Sequence, residues 1–201
     1  MYQEFARFIE LPSRATFLAA RSAWLQLNVS PLTPADLQVA AELLAAGDAV
    51  TVIECVHAWQ ARAAFSPRAH YFAAEAHLLL GETEQAETER WVFSACLQGI
   101  LATGDGSCRK PYLVSQVPDE HDVLKLQGLR SDQQRLVERG PRVCDVHQCE
   151  DGSQVWFNIS DLVAVPVKAT SPKPAVQIER AKQGVIQTKR RASGWLKASP
   201  R

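Results

Sequence analysis

No apolar run in this 201-residue chain approaches the ~20 residues needed to cross a bilayer, and no charged-then-apolar leader opens it. Cysteine is scarce and odd in number. Cys55, Cys96, Cys108, Cys144 and Cys149 include no C-x-x-C pair, so neither a disulfide framework nor a ribbon-type zinc module is indicated. The glycine patterns G-x-x-x-x-G-K-S/T and G-x-G-x-x-G are both missing, which removes the standard phosphate-loop and dinucleotide-binding signatures. These absences together predict a soluble cytoplasmic protein with no implied cofactor. An excess of one charge is missing too: Lys plus Arg number 22 and Asp plus Glu number 22. The balance conceals a division. Residues 1–167 hold 21 acids and 13 bases, whereas residues 168–201 hold nine bases and the single acid Glu179. The chain reads as an acidic body of charge −8 and a basic tail of charge +8.

What is present is a globular composition, 46% hydrophobic, with an internal repeat. Gly47 and Gly81 lie 34 residues apart, and each closes an alanine-rich stretch, Ala35–Gly47 and Ala69–Gly81. Ala40 and Ala74 stand seven residues before each glycine, where a small side chain lets two helices approach closely. Glycine tolerates the left-handed backbone that ends a helix. A second helix is expected after each: 49–64, with Val52, Cys55, Val56 and Trp59 at helical spacing, and 82–101, with Ala86, Arg90, Phe93 and Leu97. The 34-residue period of helix–turn–helix units resembles tetratricopeptide repeats. The second copy matches better, because Val52 stands where the first would carry alanine. Upstream, Ser13 is placed to cap a helix reaching about Asn28, and Thr33 to cap the first repeat helix.

The pattern changes at Gly104-Asp-Gly-Ser107, a turn. A short strand is expected over 112–117, then a helix begun at Pro118 whose acids Asp119, Glu120 and Asp122 suit its N-terminal dipole. Further strands are expected over 133–138, 142–149 and 154–159, the last two joined through Glu150-Asp-Gly-Ser153. The expectation is an α+β fold in three parts. Residues 1–102 form tetratricopeptide-like helical hairpins, 103–167 a small antiparallel β/α domain packed against them, and 168–201 a disordered basic tail.

In order, Gly104-Asp105-Gly106-Ser107, Tyr112, Val114, Val117, Glu120, Leu124, Gly128-Leu129, Gln134, Asp145, Gly152 and Phe157-Asn158-Ile159-Ser160 carry a resemblance. The chain resembles, over about residues 35–165, a bacterial family known only as a domain of unknown function. In that family tetratricopeptide-like helices lead into a Gly-Asp-Gly-Ser turn and a compact α+β segment. The resemblance implies a fold and supplies no catalytic residues. The N-terminal helix and the basic tail lie outside it.

Several side-chain groupings bear on function. Cys144, His147 and Cys149, joined by Cys108, contain zinc-ligand chemistry, but Cys144 and His147 are an odd number apart and face opposite sides of a strand. Asp145, His147 and Cys149 share one face at two-residue spacing, too far apart for routine direct hydrogen bonds, so surface alternation is the simpler account. His70 and His77 lie two turns apart on one helix, suited to an inter-helix seam or a groove edge. Glu82, Glu84, Glu87 and Glu89 crowd the start of the next helix, as a solvated face or as an acidic surface for a basic partner. In the tail, Lys189, Arg190, Arg191 and Trp195 combine cations with one stacking ring. The acidic body would repel phosphate, which favours a protein partner over nucleic acid.

The reading that follows is a non-enzymatic interaction module, of adaptor, chaperone or immunity type, that uses the helical surface (His70, His77, Glu84) and the tail (Lys189, Arg190, Arg191, Trp195). Nucleic-acid binding through the tail is the alternative. An enzyme or zinc site built on Cys144, His147 and Cys149 is the third.

Overall fold

A computed structural model describes residues 1–163, and the tail residues Lys189, Arg190, Arg191 and Trp195 lie outside the described residues. Among the described residues, seven α-helices precede or interrupt a four-stranded sheet, an α+β arrangement. The helices are α1 (Tyr2–Glu10), α2 (Arg14–Leu25), α3 (Pro34–Ala45), α4 (Ala49–Trp59), α5 (Pro67–Leu79), α6 (Thr83–Leu101) and α7 (Asp119–Leu126). The strands are β1 (Tyr112–Leu113), β2 (Ser131–Arg139), β3 (Arg142–Cys149) and β4 (Gln154–Asn158).

The helix starts follow from local chemistry. Ser13 caps α2 in a reciprocal box with Thr16: the Thr16 N–H donates to Ser13 Oγ at 3.2 Å, and the Ser13 N–H donates to Thr16 Oγ1 at 3.0 Å. Thr33 and Asp36 form the equivalent box at α3, with Pro34 at the first helical position. Helix α2 stops at Leu25, short of Asn28. Its last N–H groups, those of Leu27 and Asn28, reach back three residues to Trp24 and Leu25, and Asn28 takes a positive φ of 50°.

The 34-residue period is present in the backbone itself. The Gly47 N–H donates to the Leu44 carbonyl and the Asp48 N–H to that of Leu43; the Gly81 N–H donates to Leu78 and the Glu82 N–H to His77. Both ends are Schellman closures, with the glycines at φ +80° and +78°. Inside the hairpins, Leu37, Ala40, Val52, Val56, Trp59, Phe72, Ala73 and Ala76 make one apolar cluster.

A second cluster joins helices to sheet: Phe8, Phe17, Trp24, Phe65, Cys96 and Ile100 share it with Tyr112, Val114, Val123, Leu124, Val155, Phe157 and Ile159. The rings of Phe8, Phe17 and Trp24 surround Phe65, with centroids 5.9–6.2 Å away. The sheet order is β1-β4-β3-β2. Strands β2, β3 and β4 run antiparallel, and β1 adds to β4 in parallel, making the sheet mixed. The ladder on β1 ends after Leu113, well short of Val117, because the next carbonyl is taken. Arg21, a buried residue of α2, donates from Nε and Nη2 to the Val114 oxygen at 3.0 and 2.9 Å, and from Nη1 to Asp161 at 2.8 Å. Gln116 is likewise engaged, accepting from the Leu32 N–H at 2.6 Å and donating to the Arg62 carbonyl at 3.0 Å.

Candidate functional site

The turn between α5 and α6 gathers most of the helical residues expected to bind. His77 Nδ1 lies 2.6 Å from Glu82 Oε2, which ties the end of α5 to the start of the next helix. His70, two turns earlier, sits with Nδ1 2.6 Å from Glu89 Oε2 and Nε2 3.2 Å from the Ala64 carbonyl. Both histidines therefore occupy the seam between α5 and α6, each closed by a glutamate from the α6 side. Glu84 is exposed in the first turn of α6.

Between His77 and Glu82 the chain exposes three consecutive leucines. Leu78, Leu79 and Leu80 are 36%, 60% and 42% exposed. The same positions in the preceding hairpin hold Leu44, Ala45 and Ala46, around the same backbone closure. The turn geometry is thus satisfied by alanine, and the leucines at 79 and 80 place apolar surface in water that folding does not require. Glu82, Glu84 and Glu87 stand beside them on the exposed start of α6.

A different polar grouping lies inside the protein. Asp119, Glu120 and Asp122, expected as solvated acids at a helix start, are buried with at most 8% exposure. Helix α7 packs on α5 and α6. Asp122 takes the Arg68 guanidinium from α5, with Nε 2.9 Å from Oδ1, and Asp119 accepts the Gln116 N–H at 3.0 Å. Glu120 reaches β3, where its Oε2 lies 2.8 Å from His147 Nε2, and Ser131 Oγ lies 2.9 Å from His147 Nδ1. The His121 ring stands edge-on to that of His147.

Burial governs the protonation of this group. It raises Glu120 to about 9, with the nearby Asp145 charge adding to the rise. Burial also raises Asp119, helped by Asp122, and raises Asp122 despite Arg68. The same desolvation lowers His147 and His121, so the imidazoles stay neutral. A raised Glu120 and a lowered His147 favour a contact between neutral partners, with Glu120 and Ser131 at the two ring nitrogens of the imidazole. The Ser131–His147–Glu120 series links β2, β3 and α7 through hydrogen bonds at both ring nitrogens.

The strand residues considered for metal or thiol chemistry are corrected in one respect: they are not surface alternation. Asp145, His147 and Cys149 are 7%, 0% and 3% exposed, and Cys144 is 3% exposed, because β3 is an interior strand covered on both faces. Glu120 and Ser131 occupy both ring nitrogens of His147. Among the described residues no group of three or more His, Cys, Asp or Glu is arranged to hold a metal ion.

The architecture is that of an α+β protein in which paired helices lead into a small mixed sheet. The model of a family described as a domain of unknown function (DUF4919) matches residues 37–166, more than half of the chain, and the chain belongs to that family. The match starts inside α3, leaving α1 and α2 outside it. No curated protein and no solved structure matches the chain.

Proposed function

We propose that this protein is a non-enzymatic interaction module whose α5–α6 turn receives a basic, partly apolar segment of another protein. The observation that carries the reading is the exposed Leu78-Leu79-Leu80 triplet flanked by Glu82, Glu84 and Glu87, at a turn whose counterpart manages with alanines. Leucines supply the desolvation energy of a contact, and the acids select a basic partner and speed its approach. A body of net charge −8 points the same way, toward cationic proteins and away from nucleic acid. The tail residues Lys189, Arg190, Arg191 and Trp195 would add a second, oppositely charged contact to such an adaptor.

The test compares wild type with a Leu79→Glu/Leu80→Ala variant as baits in the native host, quantified by mass spectrometry. The reading expects one or more basic proteins held by wild type, released by salt and lost from the variant, while the melting temperature is unchanged. Equal capture by both baits would defeat it. Nucleic-acid binding through the tail would instead show affinity falling steeply with salt and unaffected at Leu79 and Leu80.

A further inference from the structure

The tight turn between β2 and β3 concentrates positive charge without an opposing acid. Arg139 and Arg142 are a directly paired cross-strand couple, separated by Gly140 (φ 60°) and Pro141. Like charges placed opposite each other across a strand pair destabilise it. A third cation, Arg109, arrives from the loop after the Gly-Asp-Gly-Ser turn, and Arg142 Nη1 donates to its carbonyl at 3.4 Å. Arg139 Nη1 contacts Cys108 Sγ on the same loop. Cys108, Arg109, Arg139, Gly140, Pro141 and Arg142 line a cavity of about 360 Å³. Among the described residues none of these three guanidiniums forms an ion pair, a property they share with Arg7, Arg14 and Arg135.

We infer that this cavity is a binding site for a small ligand bearing a dianionic phosphoryl group. Guanidinium forks match the oxygens of such a group in geometry and charge, and three of them exceed what a single carboxylate can neutralise. The volume falls within the range of small-ligand pockets and exceeds what one inorganic phosphate fills, which leaves room for the organic part of a phosphomonoester. The ligand would also relieve the repulsion between Arg139 and Arg142. Cys108 supplies a reporter, because its partly exposed sulfur lines the same cavity as the three arginines. An anion seated on the arginines would cover that sulfur. The site is independent of the leucine turn, and either proposal can fail alone.

The experiment uses the full chain with inorganic phosphate and phenyl phosphate as probes, acetate as the monoanion control, and chloride to keep ionic strength constant. Binding is read by isothermal titration. Location is read by the rate at which iodoacetamide alkylates Cys108, with Cys55 as internal reference. The expected result is saturable binding of phenyl phosphate with a Kd below about 1 mM, together with a several-fold slowing of Cys108 alkylation that Cys55 does not share. Both effects should be absent in Arg139→Gln/Arg142→Gln, whose exposed side chains can be exchanged without loss of fold. Saturable binding of inorganic phosphate equal to that of phenyl phosphate would assign the site to the free ion, and weaker binding to the ester. No saturable binding of either probe, or equal binding by the double variant, would overturn the inference.

Discussion

His147 Nε2 and Glu120 Oε2 meet at 2.8 Å with both side chains fully withdrawn from solvent, one from an interior strand and the other from the helix laid against it. Such a contact is stable when both partners are neutral, since an isolated charge there would go unsolvated.

Stability should therefore fall as pH rises from neutral. Glu120 binds its proton up to about pH 9 in the folded protein, against a reference of 4.5, so the folded state holds a proton that the unfolded chain has released. Stability is greatest below 4.5 on this count and is lost as pH climbs through 9, by up to about 1.4 kcal/mol per pH unit for one proton. Asp119 and Asp122 act in the same direction. His147 and His121 act oppositely and below 6.5, because their lowered values favour the neutral form when folded. Glu120→Gln, which keeps a donor toward His147, should flatten the decline between pH 6.5 and 8.5. Urea unfolding across that range measures it, and parallel curves for the two proteins would refute the assignment.

Gly47→Ala and Gly81→Ala should cost the same, about 1–2 kcal/mol each, the penalty of placing a side chain at positive φ. A methyl at either position meets nothing within 4 Å, so no packing term separates them. Chemical denaturation of the two variants gives the comparison, and a difference well outside error would show that the two turns are not equivalent.

Gly99→Ala fails for another reason. Its φ is ordinary, but a methyl there would collide with the buried ring of Phe17. We expect a loss of about 2 kcal/mol from overpacking, even though alanine is the better helix former. Adding Phe17→Leu should recover part of it, so the double variant is more stable than the sum of the singles requires. Strict additivity would rule the collision out.

Arg21→Met should destabilise more than Asp161→Asn. The first leaves the buried Val114 carbonyl without its donors, a loss of about 1–3 kcal/mol, whereas the Asp161 side chain is 55% exposed and is readily solvated. The reverse order in thermal melts would mean that the ion pair, and not the carbonyl, is what Arg21 serves.

The elements legible in the sequence are those specified by neighbours along the chain. Ser13 and Thr33 cap helices through residues three positions on, and Gly47 and Gly81 end helices by their own conformational freedom. The Asp151-Gly152 turn likewise joins β3 to β4, with Gly152 at φ 86°. The buried polar residues were illegible because their partners are remote. Arg21 meets a carbonyl 93 positions away, and Glu120 meets a histidine 27 positions away. An acid in the first turn of a helix has the same sequence signature whether it faces water or a strand. Asp119, Glu120 and Asp122 therefore read as dipole partners until α7 is seen packed against α5, α6 and the sheet. The arginine cavity is illegible for the same reason, since Arg109 and the Arg139–Arg142 turn lie some 30 residues apart.

Helix α6 keeps an outward face with Glu84, Glu87 and Trp91 exposed, but its other sides are taken. It packs on α5, on α1 and α2, and on α7 and β1, and its Trp91 Nε1 donates to the Ile9 carbonyl of α1. In an open stack of hairpins the next pair would lie against that helix; here the N-terminal pair and the sheet already do. The stack is therefore closed at α6 by elements of its own chain.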